Sequence, residues 1–139
     1  MLEADARQRF SDARVASLAT VGEDGRPHLV PIVFALDGDR ICFAVDFKPK
    51  RKPNLKRLDN IRANPQVSLL VHQYDEDWSQ LWWVRVDGVA RIVDDDTVID
   101  ALVAKYEQYR RRRPQGPAVL IDALTWRWWS PTSRSHRPN

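Results

Sequence analysis

Branched and aromatic residues of this chain occur mostly in short runs bounded by turn residues, which is the pattern of β-strands. The clearest run covers residues 81–93, in which Trp82 belongs to an apolar face and Trp83 to the face that carries Arg85. Gly88 interrupts this alternation and predicts a bulge or bend. By these criteria we predict six strands, at residues 15–21, 28–36, 40–45, 67–72, 81–93 and 118–126.

Three other segments, residues 3–13, 54–64 and 96–109, predict helices. The second of these helices has Asn54 as its predicted N-cap and stops before a proline. Most connections between the strands are short turns, so the strands should pair antiparallel, and a small closed or partly closed barrel would hide their edges. Pro31 lacks a backbone N–H, which predicts an edge position or a bulge for its strand.

The chain has 139 residues and a hydrophobic content of 43%, which suits one globular domain. We expect that domain to span residues 1–130, with a disordered tail at 131–139. No apolar run approaches the ~20 residues that cross a bilayer, and the first residues lack the apolar centre of a secretory signal. The single cysteine, Cys42, is predicted to be a core residue, and its isolation fits a reducing, cytoplasmic compartment.

A concentrated basic segment lies between the third strand and the second helix. Six cations fall there without an acid among residues 47–57, namely Lys48, Lys50, Arg51, Lys52, Lys56 and Arg57. The N-terminus of a helix presents unpaired amides and a positive dipole, so this corner is predicted to bind an anion such as a phosphate. Two alternatives remain at this stage: a solvated run of charge, or a nucleic-acid contact.

Catalytic signatures of the familiar kinds are absent. The sequence has no glycine-rich dinucleotide motif, no phosphate-binding P-loop and no Cys-x-x-Cys pair, and its three histidines have no metal spacing. We therefore predict neither a metal site nor a dedicated catalytic residue, and any chemistry should come from a cofactor. Trp83 is a large aromatic residue on a polar face, which predicts contact with a second subunit or a planar ligand.

A second basic patch, Arg110 to Arg113, ends the third predicted helix. Cations there complement the negative end of the helix dipole, and four in succession could also attract a polyanionic ligand. His28 and His72 are expected to serve packing and hydrogen bonding.

An ordered series of segments resembles a known family. The segments are residues 16–21, 25–31, Lys50-Arg51 with 54–57, 64–70 and 83–91. Together they resemble the pyridoxamine 5′-phosphate oxidase-like flavoproteins, over residues 10 to about 130. The resemblance implies a mainly β fold, a six-stranded antiparallel split β-barrel with helices, of the FMN-binding split barrel type. The short length and the segment from Asp75 to Trp83 look most like the branch that uses the deazaflavin coenzyme F420.

The resemblance also implies a homodimer with two cofactor sites at the subunit interface. Lys50 and Arg51 would hold the cofactor phosphate, and Trp83 would approach from the neighbouring region of the dimer. The backbone of the strand that contains Val30, Pro31, Ile32 and Val33 would run along the tricyclic ring. The residues expected to border the phosphate and ribityl chain are Val45, Lys48 and Asn54.

Two departures from the family pattern affect the choice of cofactor. FMN-binding oxidases often have Arg at the position of Val30 and Gln at that of Trp83. The resemblance therefore implies F420 first and FMN second, with hydride transfer from the reduced coenzyme to an unsaturated small molecule. The accompanying proton could come from solvent or from a nearby side chain such as Tyr74. The same features fit a non-catalytic flavin or deazaflavin carrier, whereas we expect no nucleic-acid or membrane partner.

Overall fold

The computed structural model describes residues 1–45 and 55–131 of the chain. Seven strands form one sheet in which every pairing is antiparallel. Their order across the sheet is β2-β1-β5-β6-β7-β4-β3. The strands are β1 (Ala16–Val21), β2 (Pro27–Ile32), β3 (Ala35–Asp37), β4 (Arg40–Ala44), β5 (Gln66–Gln73), β6 (Trp82–Val93) and β7 (Ala118–Trp129).

The two edge strands, β2 and β3, are consecutive in the chain and are separated only by Val33 and Phe34. A sheet whose opposite edges lie two residues apart in sequence has to curl back on itself, so it forms a barrel that is split between these strands. The predicted mainly antiparallel split barrel is confirmed. Pro31 lies in an edge strand, as its missing N–H predicts.

The structure has seven strands rather than six because the predicted strand 28–36 divides at Val33 and Phe34. Phe34 is fully buried, and both its N–H and its carbonyl contact the hydroxyl of Tyr106, at 3.2 and 3.0 Å, rather than a strand. The Tyr106 hydroxyl therefore replaces a neighbouring strand as the polar partner of the Phe34 backbone, at the point where the strand ends. The Tyr106 hydroxyl also donates to the carbonyl of Arg14, at 2.9 Å, so it joins the two sides of the split.

The same tyrosine accounts for a second difference. The predicted helix 96–109 is two helices, α3 (Asp96–Lys105) and α4 (Glu107–Arg111), because Tyr106 has extended backbone angles, φ −115° and ψ 122°. Its buried ring and hydroxyl contacts hold it in place despite the helical periodicity on either side. Tertiary contacts of this kind routinely override local preference.

Two further helices complete the described part, α1 (Glu3–Asp12) and α2 (Lys56–Ala63), with a 3-10 turn at Trp78–Gln80. The prediction that Asn54 caps α2 is wrong, because Leu55 occupies the N-cap position and has no side-chain cap. The first helical bonds run from Leu58 and Asp59 to the Leu55 carbonyl, at 3.0 and 3.1 Å, so the helix starts later than predicted. Asn54 itself lies outside the described residues.

The predicted irregularity at Gly88 is confirmed as a register shift in the pairing of β6 with β7. A Cβ atom at this position would stand 2.3 Å from the Asp122 carbonyl oxygen, so the close approach of β7 requires glycine.

The main core fills the barrel, and helix α1 packs against it through Phe10, whose ring lies 4.9 Å from that of Phe34 and 5.3 Å from that of Trp126. A second cluster joins α3 and α4 to the sheet around Leu102, Tyr109 and Cys42. Cys42 is buried as predicted, and desolvation raises the pKa of its thiol to about 11. No helix in the described ranges has the length and apolar character needed to cross a membrane.

Candidate functional site

A small cavity lies at the split, between the end of β2, the end of β4 and the start of α2. Its volume is about 260 Å³. Three of the predicted cofactor-contacting residues, Pro31, Ile32 and Val33, line it together with Arg57. The other described residues that line it are Val15, Phe43, Ala44 and Tyr109.

Local structure explains why this corner suits an anion beside an apolar group. Strand β2 pairs only with β1 among the described strands, so its other edge has backbone polar groups available to a ligand. Arg57 belongs to the first turn of helix α2, whose first helical hydrogen bonds are donated by Leu58 and Asp59. The amides before Leu58 therefore have no partner within the helix. The corner thus combines apolar side chains, a strand edge and positive charge.

Val30 and Val45 do not line this cavity. Val30 is the cross-strand partner of the fully buried Leu18 and packs against the main core, and Val45 is itself a buried core residue. The Val45 amide donates to the Pro117 carbonyl at 3.1 Å. A Cβ on Gly116 would come within 2.8 Å of the Val45 Cβ, so glycine permits this close packing. Both valines therefore support the walls of the corner from behind.

Four predicted site residues, Lys48, Lys50, Arg51 and Asn54, lie outside the described residues. The described residues that flank this segment are Val45 and Leu55. Each is close in sequence to a lining residue of the cavity, Ala44 on one side and Arg57 on the other. The described residues on both sides of this segment are therefore near neighbours, in sequence, of residues that line the cavity.

Trp83 is not part of the same cavity. It lines a separate, largely apolar cleft of about 540 Å³ on the outer face of the sheet. Pro31, Ser17, Leu70 and Arg85 form one row across β2, β1, β5 and β6, and Trp83 lies two residues beyond Arg85 along its strand. Three strand spacings correspond to roughly 14 Å. One chain therefore does not bring Trp83 together with the β2 edge.

The cavity is also small for a complete ligand site. Pockets that enclose a drug-sized ligand usually have volumes of about 300–1,000 Å³. At about 260 Å³ the space that the described residues enclose would hold only part of a large coenzyme, and the rest would need a further wall. On the outer face of the sheet, Leu29 is 69% exposed and Leu70 is 36% exposed, so apolar surface is available for such a contact.

The second basic patch is mostly engaged with its own helices. Arg110 donates to the carbonyls of Val103 and Ala104, at 3.0 and 2.9 Å. Arg111 pairs with Glu107 at 2.8 Å, and Arg113 with Asp100 at 2.7 Å and with Asp96 at 3.2 Å. The Arg110 contacts match the dipole-complementing interpretation, because Val103 and Ala104 lie in the last turn of α3, whereas Arg111 and Arg113 are paired with carboxylates of the same helices.

Sequence reasoning missed several lining residues of the corner, including Phe43 and Tyr109. Arg57 was noticed as one of six cations but not as a site residue. Its place in the first turn of α2 was the available signal. The sequence did not indicate that Tyr109 lines the cavity, because its position there depends on the break between α3 and α4 at Tyr106.

Comparison with known proteins identifies the fold and the family. The family model described as pyridoxamine 5′-phosphate oxidase matches residues 2–130. The conserved hypothetical protein Rv2991 from Mycobacterium tuberculosis is 25% identical, with a TM-score of 0.75 over 94% of this chain and 85% of that chain.

Two other solved structures share the fold at lower identity. The heme storage protein HutZ from Vibrio cholerae is 18% identical, with a TM-score of 0.71 over 93% of this chain and 94% of that one. An FAD-binding protein from Mesorhizobium loti is 19% identical, with a TM-score of 0.66 over 91% of this chain and 92% of that one. With a family model that matches nearly its whole length, this chain belongs to the pyridoxamine 5′-phosphate oxidase family.

Proposed function

We propose that this protein is an oxidoreductase that binds a phosphate-bearing tricyclic coenzyme, F420 in the first place and FMN in the second, and reduces an unsaturated small molecule. The observation that supports this most directly is the corner at the split. It joins the β2 edge at Pro31, Ile32 and Val33 to Arg57 and the N-terminus of α2.

The residues present fit such a coenzyme. Arg57, the helix N-terminus and the flanking segment with Lys50 and Arg51 suit a phosphate, because both full charges and helix amides favour an anion. The apolar side chains of Ile32 and Val33 and the adjacent strand edge suit the tricyclic ring. A reduced coenzyme of this class supplies a hydride when it is bound.

The protein's own tasks are then to orient the two reactants and to exclude water. The proton that accompanies the hydride can come from solvent or from Tyr74, whose hydroxyl lies 3.3 Å from a Glu76 carboxylate oxygen. Tyr74 is 62% exposed, so it can exchange protons with water directly.

We propose that the protein acts as a homodimer, with each coenzyme between two copies. This assembly would supply the missing wall of the corner and would bring Trp83 of one copy towards the β2 edge of the other. The exposed apolar side chains of Leu29 and Leu70 on the outer sheet face support it. Light scattering of the purified protein, with and without coenzyme, measures the mass directly.

Two side chains, Val30 and Trp83, are the reason why we propose F420 before FMN. Val30 packs towards the core, so this position of β2 supplies no cation to a flavin phosphate. Trp83 supplies an indole where an amide would hydrogen-bond a flavin ring. The FAD-binding protein from Mesorhizobium loti has the same fold and supports a flavin as the second choice.

The test is a comparison of two arginines on the same helix. Arg57→Ala should weaken binding of F420 or FMN by about 10- to 150-fold, the value of a charged hydrogen bond of roughly 1.5–3 kcal/mol. Arg62→Ala is the matched control, because Arg62 is exposed and pairs with Asp59 at 3.3 Å. Arg51→Ala is expected to resemble Arg57→Ala. Equal affinities in all of these variants would refute the phosphate assignment.

Turnover separates an enzyme from a carrier. The protein should oxidise reduced F420, or reduced FMN, in the presence of enones or quinones, at a rate above that of the free coenzyme. Tight binding without any such turnover would instead indicate a non-catalytic carrier of the same coenzyme.

A further inference from the structure

Lys105 ends α3 and connects the segment between α1 and β1 to the start of α4. Its Nζ atom donates to the Ala13 carbonyl at 2.6 Å. Arg14 donates in return to the Lys105 carbonyl at 3.1 Å, and the Tyr106 hydroxyl donates to the Arg14 carbonyl at 2.9 Å. These four residues are not among those that line the cavity at the split, so coenzyme binding does not account for them.

Two cations of this group lie together without an anion. The Lys105 Nζ atom lies 4.0 Å from the centre of the Phe34 ring and 5.3 Å from that of the Tyr106 ring. The guanidinium carbon of Arg14 lies 4.6 Å from the centre of the same Tyr106 ring. Among the described residues, no carboxylate oxygen lies within 4.0 Å of either cation. Because like charges repel, these surroundings favour the loss of one positive charge or the gain of a negative one.

The same surroundings favour the neutral form of the amine. Lys105 is half-buried, and burial, followed by the charge of Arg14, lowers the pKa of its ammonium to about 8. Asp12 and Cys42 act in the opposite direction without restoring the ordinary value. Burial raises the pKa of the Cys42 thiol and of the Tyr106 hydroxyl, so both groups are uncharged near pH 8.

An amine in this state is a nucleophile. At pH 8 roughly half of the Lys105 side chains have a free electron pair on Nζ, whereas an ordinary lysine is almost fully protonated there. The side chain is only half-buried, so a small molecule can reach it from solvent.

We propose that Lys105 is a modification site for carbon dioxide, which it binds as a carbamate, and that Arg14 pairs with the carbamate anion. The neutral Nζ forms a bond to the carbon of carbon dioxide while one C–O π-electron pair moves to oxygen, and Nζ then releases a proton to water. The product carries one negative charge where the ammonium carried one positive charge. It keeps one N–H, which can still donate to the Ala13 carbonyl.

The chemistry of the group favours carbon dioxide over other electrophiles that attack amines. An acyl donor would leave a neutral amide, which gives Arg14 no anion, and it would have to bring a leaving group into a space bounded by the Phe34 and Tyr106 rings. Carbon dioxide is small, needs no leaving group and produces the missing negative charge. The site is independent of the proposed oxidoreductase function.

The experiment uses the wild-type protein at pH 8, equilibrated with ¹³C-labelled carbon dioxide. Carbamates are trapped as ethyl esters with triethyloxonium tetrafluoroborate and located by peptide mass mapping, which also separates the N-terminal amine from the lysines. Lys105 should carry at least about tenfold more label than Lys56, which is exposed on α2, since exposed lysines are ordinarily protonated at this pH. Absence of label on Lys105, or equal label on the two lysines, would overturn the proposal.

The same trapping after denaturation tests the role of the folded surroundings. In guanidinium chloride the label on Lys105 should fall to the level of Lys56, because the unfolded chain removes both the burial and the proximity of Arg14. Label on Lys105 that is equally high in the denatured chain would overturn the assignment of the site to the fold.

Three variants test the pairing with Arg14. Arg14→Met should lower the label on Lys105 about two- to fivefold, the value of a partly exposed ion pair, and Arg14→Lys should lower it less because a cation remains. Arg9→Met is the matched control, since Arg9 is also exposed and also lies over an aromatic ring, 5.2 Å from the centre of Trp82. An equal label in Arg14→Met and Arg9→Met would overturn the role of Arg14.

Discussion

Removal of the Tyr106 hydroxyl should destabilise the protein at the split of its barrel. This one oxygen accepts a hydrogen bond from the Phe34 amide at 3.2 Å and lies 2.9 and 3.0 Å from the carbonyls of Arg14 and Phe34. Both Phe34 and the tyrosine ring are buried. In Tyr106→Phe the ring remains, but the Phe34 amide loses its acceptor in a place that water does not reach.

The magnitude follows from the cost of an unsatisfied buried donor. Such a group costs about 1–3 kcal/mol, since it lost its water on folding and no longer has a partner. We expect the free energy of unfolding to fall by that amount, and the melting temperature to fall by roughly 3 °C for each kcal/mol in a chain of this size. Because dimerisation would make stability depend on concentration, all samples are compared at one protein concentration.

Urea denaturation followed by tryptophan fluorescence measures the effect. The matched control is Tyr74→Phe, because the Tyr74 hydroxyl is exposed and contacts only the Glu76 carboxylate among the described residues. This control should change stability by less than about 0.5 kcal/mol. If Tyr106→Phe is as stable as the wild type, or if both variants lose the same free energy, the hydroxyl does not hold the split together.

Three further results are expected. Gly88→Ala should lose about 1–3 kcal/mol of unfolding free energy, because the new Cβ would stand 2.3 Å from the Asp122 carbonyl oxygen; a neutral effect in urea denaturation would contradict the bulge. Burial lowers the pKa of Lys105 to about 8 from an ordinary 10.5. Between about pH 8 and 10.5 the lysine is therefore neutral in the folded protein but still protonated in the unfolded chain. The wild type should gain stability relative to Lys105→Met as the pH rises through this range. A difference that stays constant with pH would rule this out. Burial raises the pKa of the Cys42 thiol to about 11, so iodoacetamide at pH 8 should modify Cys42 rapidly only after denaturation, and equal rates in native and denatured protein would show that the thiol is accessible.

The strands and the antiparallel sense of their pairing could be predicted largely from the sequence, because hydrophobic alternation and turn residues are local signals. The long-range pairings of β1 with β5 and of β4 with β7 were not predicted, since no local signal encodes them. The bulge at Gly88 and the edge position of Pro31 follow from single-residue chemistry in the same way. The divisions at Phe34 and Tyr106 could not be predicted. They depend on a hydroxyl that bonds backbone groups 72 residues away in sequence, which no local pattern encodes.

The candidate site was predictable in part. Pro31, Ile32 and Val33 do line one cavity, and Arg57, one of the six cations, lines it with them. Val30 and Val45 support the corner from the core instead, because the alternation along β2 turns Val30 inwards and the packing against Gly116 buries Val45. Trp129 was missed as a neighbour of Trp83 because cross-strand register, not sequence separation, brings the two indoles together.

The most direct test of the central claim is a titration of the purified apoprotein with F420 and with FMN, followed by quenching of tryptophan fluorescence and combined with light scattering. The account predicts saturable quenching with one coenzyme per subunit, tighter for F420 than for FMN, in a protein with the mass of a dimer. A monomer that binds neither coenzyme would contradict it.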